Sequence, residues 1–239
     1  MTVRVAMWSG PRNISTALMR SFEARGDCVA LDEPLYAHYL HTTGLRHPMW
    51  SEVIASQPTG WARATATLHA PCDAPVQYQK HMAHHVLPGL ALGWMRGLRH
   101  AFLLREPASV VASYARRHDR VRPEDLGILQ QRALLRHVTR ELGQPAIVVH
   151  SRAILEDPAG ALARLCEALG VAFTPRMLSW PPGPRETDGV WAPHWYDAVW
   201  ASTGFGPPPP DPPALEPALA SVVDALTPAY EELAAAAMV

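Results

Sequence analysis

The chain has 239 residues, 48% hydrophobic and 18% charged, with 21 basic against 22 acidic side chains and a formal net charge of -1. That length suits one domain with a sizeable core, and the balanced charge excludes a broadly basic nucleic-acid binder. Three scattered cysteines, Cys28, Cys72 and Cys166, form neither a disulfide framework nor a cysteine zinc site, which fits a reducing, cytoplasmic setting.

In chain order, residues 3–8 are apolar and β-prone, which reads as a strand rather than a signal peptide. Residues 9–13 (Ser-Gly-Pro-Arg-Asn) are a cluster of breakers, and Leu18, Met19 and Phe22 give residues 15–24 a helical spacing. Gly26-Asp27 stops that helix. Residues 28–31 read as a short buried strand ending in Asp32-Glu33-Pro34. Residues 36–57 are rich in His, Tyr and Trp without a clean period, so loop and short helix are expected. A second apolar run, 76–79, leads to Lys80.

The clearest buried strand is 101–104, ending at Arg105-Glu106-Pro107, with a helix over 108–117 whose first turn tolerates Pro107. Residues 123–142 read as one amphipathic helix, 146–149 as a strand, and 158–169 as a helix closed by Gly170. Proline and glycine clusters, above all Pro207 to Pro213, make 181–213 an extended covering loop. The C-terminal segment 214–239 carries an Ala-rich helix from Pro217 to Met238. No repeat or linker divides the chain, so residues 1–239 are expected to form a single domain. No apolar run reaches the roughly 18–20 residues of a membrane span. Short apolar strands alternating with helices predict an α/β fold, a parallel sheet with helices on both faces.

Ligands of such sheets sit beyond the carboxyl ends of the strands. Four polar groups converge there: residues 9–16, Asp32-Glu33, Lys80-His81 and Arg105. The first loop opens a helix. Its backbone N–H groups and helix dipole, joined by Arg12 and the Ser15 and Thr16 hydroxyls, suit a phosphate. Taken alone it is equally an ordinary turn with an N-cap serine. It is not a Walker A loop, because it holds no lysine. Of the 21 basic residues 20 are arginine, which leaves Lys80 as the one lysine.

Together these residues resemble the PAPS-dependent sulfotransferases, whose fold is a three-layer, P-loop-NTPase-like parallel sheet. Their 5′-phosphosulfate loop reads Pro-Lys-Ser-Gly-Thr-Thr, to which Pro11, Arg12, Asn13, Ile14, Ser15 and Thr16 correspond, with Arg12 in place of lysine and Ile14 in place of glycine. Their 3′-phosphate motif has an arginine at a strand end and a serine eight residues later, as Arg105 and Ser113 are here. Residues 147–170 look like the strand, turn and helix that follow that motif. Residues 185–191, with Arg185, Gly189 and Trp191, are a looser match to the loop that covers the nucleotide. The Ser-Gly-Pro-Arg-Asn loop and an Asp-Glu-Pro-Leu-Tyr segment resemble a bacterial sulfotransferase-like subgroup.

The resemblance implies transfer of a sulfuryl group from PAPS to a hydroxyl or amine of a small-molecule acceptor, leaving adenosine 3′,5′-bisphosphate. It implies no metal, no nucleic acid and no membrane partner, and a homodimer is compatible with it. Arg12 and the loop N–H groups would hold the leaving 5′-phosphate, and Lys80 is a mobile charge able to follow the sulfuryl group. The general base is Glu33 or His81, with His84 and His85 as further candidates, and Glu33 is preferred. Each has a plainer role: Glu33 as a turn cap or ion-pair partner, Lys80 as a solvated strand end, the histidines as a polar face or satisfied core groups. The histidine spacing marks no third metal ligand. Tyr36, His38 and Tyr39 are placed near the acceptor, and Trp191, His194, Trp195 and Trp200 over the cavity. A P-loop-like kinase or nucleotide hydrolase, using Ser15 or Thr16 with Asp32 and magnesium, is the second reading. A non-catalytic nucleotide-binding protein is the third.

Overall fold

The computed structural model describes residues 2–211 and 214–237. Five strands form one sheet: β1 Val3–Ser9, β2 Cys28–Asp32, β3 Val76–Met82, β4 Arg99–Leu104 and β5 Val148–His150, in the order β2-β3-β1-β4-β5. Every neighbouring pair is parallel. The helices, in chain order, are α1 Ser15–Glu23, α2 Tyr36–Thr43, α3 Trp50–Ser56, α4 Trp61–Thr67, α5 Pro107–Ala115, α6 Ile128–Arg140, α7 Ser151–Glu156, α8 Pro158–Ala168, α9 Ala192–Trp195, α10 Asp197–Trp200 and α11 Pro217–Ala234.

Alternation along the strands sends Ala6, Trp8, Phe102, Leu104 and Val148 to one face, where α4, α5, α6 and α11 cover them through Ala64, Val110, Leu134, Val138, Leu226 and Leu233. Val5, Met7, Ala101, Leu103 and Val149 face the other way, against Leu18, Met19 and Phe22 of α1, Ile154 of α7 and Leu162 and Leu165 of α8. A sheet buried on both faces needs strands that are apolar on both sides, and this is the three-layer α/β arrangement that the sequence predicts. A third apolar cluster, with Tyr36, Leu40, Val53, Trp191 and Tyr196, closes over the carboxyl end of the sheet.

Several boundaries differ from the sequence reading. β3 does not stop before Lys80 but runs through Lys80 and His81 to Met82, and all seven residues are buried. Its polar residues find partners inside: the Gln79 amide donates to the Leu68 carbonyl and to Gln77 Oε1. Residues 123–142 are not one helix, because Gly127 takes a left-handed φ of 75° between a 3-10 turn, Pro123–Leu126, and α6. The covering loop 181–213 holds α9 and α10, and α7 precedes α8. The last helix, expected to reach Met238, ends at Ala234; Pro212 and Pro213 of the proline run, and Met238, lie outside the described residues. Among those residues no helix is long and apolar enough to cross a membrane.

Gly127 and Gly10 let two backbones cross directly behind the first loop. A Cβ on Gly10 would lie 2.2 Å from the Leu126 carbonyl oxygen, and one on Gly127 would lie 3.1 Å from the Gly10 Cα. Backbone cannot yield as a flexible side chain does. Gly10→Ala is therefore expected to cost about 1–3 kcal/mol of stability, read as a lower urea midpoint at unchanged slope. A wild-type midpoint would show that the crossing has slack.

Candidate active site

The strand ends place two differently charged groups on one cavity of about 350 Å³. At one end lies the β1–α1 loop. Pro11, Arg12, Asn13, Ile14, Ser15 and Thr16 all line the cavity, as do Arg105 and Ser113. No side chain caps the start of α1, so its first N–H groups and dipole are presented to the cavity. Asn13 shapes the loop, donating to the Leu103 carbonyl and accepting from the Ile14 N–H. Arg12 sits at a left-handed φ of 56°, which brings its Nε within 3.0 Å of Ser113 Oγ. Arg105 Nη1 donates to the Arg12 carbonyl at 2.5 Å. Burial lowers the pKa of both guanidiniums. Arg117, Arg116 and Arg105 lower that of Arg12 further, while Arg116 and Arg152 act on Arg105 against the opposing pull of Glu106. Among the described residues Arg12, Arg105, Arg116 and Arg117 form no ion pair with a carboxylate. Arg12 and Arg105, partly buried beside an uncapped helix start, with Arg116 and Arg117 exposed nearby, present positive charge and donors of the kind that suit an anion.

The other end is built on the β2–β3 register, which sets Asp32 beside Lys80. Lys80 is 1% exposed, and its ammonium donates to Asp32 Oδ1 at 2.8 Å, Glu33 Oε1 at 2.6 Å and Tyr196 Oη at 2.6 Å. Burial opposes its charge, but Asp32, Glu33 and Tyr196 outweigh burial and hold its pKa well above the usual lysine value. Burial raises the pKa of Glu33 and the Asp32 charge adds to it, while Lys80 works in the opposite sense. A carboxylate in this position is a stronger base than one in water. Glu33 also has a left-handed φ, 40°, which turns its side chain back onto Lys80, and its Oε2 lies 4.0 Å from His85 Nε2.

His81 is a correction. The period of two that points Lys80 and Met82 at the cavity sends His81 to the opposite face, where it stacks on Trp8 at a centroid distance of 4.4 Å and meets Gln79 Oε1 at 3.2 Å. His84 and His85 do line the cavity, but from a 3-10 turn, Ala83–His85, so His81 shares no helical face with them. Burial drives all three imidazoles toward the neutral form, to about 3 for His81 and His84 and well below the usual value for His85. His85 stacks on Tyr36 and Tyr39.

The covering segment contributes differently from its expected role. Trp191 lines the cavity and meets Tyr36 edge-on at 5.2 Å. Arg185 does not line it: its guanidinium donates to the carbonyls of Pro181, Gly183 and Pro184 in its own loop. Gly189 does not line it either. Its N–H donates to Asp32 Oδ2 at 3.1 Å, and a Cβ there would strike the Trp191 ring, 2.1 Å away. The segment is tied down by Asp188, which pairs with Arg20 of α1 and accepts from Trp200 Nε1 at 2.9 Å. Asp32, which the sequence places at this strand end and offers only as a magnesium ligand, holds Lys80. Tyr196 is a member of the site to which the sequence does not point. Tyr196 stands in an irregular Pro- and Gly-rich stretch that gives no cue to what it faces.

Residues 3–237 match the model of a sulfotransferase domain family. The chain is 33% identical over 202 residues to branched-chain-amino-acid aminotransferase-like protein 2, and 34% identical over 204 residues to branched-chain-amino-acid aminotransferase-like protein 1, both of Arabidopsis thaliana. Each match covers 84% of this chain and 36% of the relative, so the chain spans little more than a third of those proteins. Among solved structures, a sulfotransferase from Alicyclobacillus acidocaldarius is similar with a TM-score of 0.52 at 13% identity, over 98% of this chain and 95% of that one. That likeness is one of fold, and it agrees with the P-loop-like, three-layer sheet expected from the sequence.

Proposed function

We infer that this chain, which belongs to the sulfotransferase domain family, transfers a sulfuryl group from PAPS to a hydroxyl or amine of a small-molecule acceptor. The observation that carries the reading is the polarity of one cavity: arginines that pair with no carboxylate among the described residues and an uncapped helix start at one end, a buried lysine and carboxylate at the other. The first end fits the two anionic groups of PAPS. Arg12, the loop N–H groups and the Ser15 and Thr16 hydroxyls would take the 5′-phosphosulfate, and Arg105 with Ser113 the 3′-phosphate. When bound, PAPS supplies a sulfuryl group activated by its bond to the phosphate.

The remaining work belongs to this chain's residues. Glu33 accepts the proton of the acceptor group. Lys80 stabilises charge on the sulfuryl oxygens as they are passed on, and Arg12 stabilises the leaving phosphate. These are positioning and electrostatic contributions of the kind that dominate phosphoryl transfer. Tyr36, Trp191 and the neutral His84 and His85 wall the acceptor side.

Calorimetric titration with adenosine 3′,5′-bisphosphate, beside ATP–magnesium and 5′-AMP, tests the reading. Tight binding of the bisphosphate alone is expected. Binding of ATP–magnesium alone would transfer the site to a kinase or hydrolase, and binding of none would remove the donor site. Arg105→Ala should weaken bisphosphate binding by about 2–4 kcal/mol, the scale of breaking a buried, hydrogen-bonded charge contact. Unchanged affinity in that variant would place the 3′-phosphate elsewhere.

A further inference from the structure

We propose that Tyr196 is a positioning residue that, with Asp32, parks Lys80 against Glu33 and frees one of its protons for the sulfuryl group when Glu33 becomes protonated. The proposal rests on the sulfotransferase reading and adds a residue and a coupling to it. An ammonium has three protons, and all three of those on Lys80 are engaged, by Asp32, Glu33 and Tyr196. In this state none is available to a transferring group. Tyr196 also lies within hydrogen-bond distance of both Asp32 oxygens, at 2.9 and 2.7 Å, and Trp191 Nε1 donates to its hydroxyl at 3.3 Å. Its ring lies 5.1 Å from the Lys80 ammonium. Asp32 receives the Gly189 N–H as well. These contacts hold Asp32 and Tyr196 in place on their own partners, whereas the Glu33 side chain is the more exposed carboxylate of the pair, 11% against 1% for Asp32.

The step balances without a further reactant. The acceptor O–H or N–H bond breaks and its proton passes to Glu33. The bond from the acceptor atom to sulfur forms as the bond from sulfur to the 5′-phosphate oxygen breaks, and adenosine 3′,5′-bisphosphate leaves. Glu33, now neutral, holds Lys80 less strongly. Lys80 keeps Asp32 and Tyr196 and turns its third proton to a sulfuryl oxygen at the moment charge is redistributed there. Proton removal and electrostatic stabilisation are thereby linked through one side chain.

The groups facing Glu33 are Asp32 from its own strand end, Lys80 from β3, His85 from the following turn, Tyr36 from α2 and Tyr196 from the covering segment. Tyr196→Phe keeps the ring and removes the hydroxyl that helps neutralise Asp32. The Asp32 charge then bears more strongly on Glu33, and the acid limb of the kcat/KM profile should move up by about one pH unit. Asp32→Asn deletes that charge and should move the same limb down. In Tyr196→Phe the ammonium loses the anchor that aims it at Glu33 and the sulfuryl group, so kcat should fall at least about ten-fold, while the Kd for adenosine 3′,5′-bisphosphate, set at the other end of the cavity, stays within about two-fold. Thermal melting with and without the bisphosphate confirms that each variant is folded.

Shifts of opposite sign support the coupling. A wild-type limb in both variants, shifts of the same sign, or a joint loss of donor affinity and kcat would overturn it. Absence of bisphosphate binding or of sulfuryl transfer in the wild-type protein would instead refute the sulfotransferase reading beneath it.

Discussion

Glu33→Gln is expected to lower turnover by about 10²–10⁴-fold, the usual range for removing a general base, with little change in donor affinity. Glutamine keeps the size of the side chain and offers a carbonyl oxygen to Lys80, so the 2.6 Å contact has a neutral substitute. What it cannot do is take a proton. The loss should therefore fall on kcat, while the Kd for adenosine 3′,5′-bisphosphate, set at the other end of the cavity, stays near the wild-type value. Single-turnover assays with PAPS would separate chemistry from product release. Retained turnover would pass the proton to His85, whose Nε2 lies 4.0 Å from Glu33 Oε2; a further His85→Gln change in the same background should then abolish it.

A second large effect is expected in acid. His81, His84 and His85 are held neutral by burial, and so is His100, whose pKa is pushed down to about 4. In the unfolded chain each takes up a proton near pH 6.5. Above that pH both states are neutral and nothing is lost. Below it the unfolded chain binds more protons than the folded one, so stability falls as the pH falls, by about 1.4 kcal/mol per unit for each such histidine. The loss continues toward the folded values, about 3 for His81 and His84. Four histidines together give a slope of about 5.5 kcal/mol per pH unit, which exhausts the ordinary stability of a domain within a few units. Near-UV circular dichroism across pH 7 to 4 should show cooperative unfolding, and His81→Phe should move its midpoint to lower pH. A signal unchanged at pH 4 would mean that these rings reach water on protonation.

The sheet was legible because its central strands are plain. Residues 101–104 and 3–8 are apolar on both sides, and their breakers stand where the strands end. β3 is legible only in part, since Gln77, Gln79, Lys80 and His81 mask a fully buried strand, and the hydrogen bonds of Gln79 and Lys80 show how burial is tolerated. The side chain of His81 points away from the cavity for the same reason: inside a strand the pleat fixes its direction, whereas past a strand end it would be free. Gly127 split a helix that the apolar period of 123–142 carries across without a break. At the site, the anion end was legible because strand-end arginine and loop order are local features. Asp32 and Tyr196 lie 164 positions apart, and their meeting depends on how a segment with no period folds back over the sheet.

Arg12 and Glu33, at φ of 56° and 40°, occupy backbone conformations that glycine adopts freely and that cost other residues about 1–3 kcal/mol each. Glycine or asparagine at either place should relieve the backbone and raise the melting temperature, while removing a side chain that lines the cavity. Backbone comfort and cavity chemistry thus make opposing demands on the same two residues.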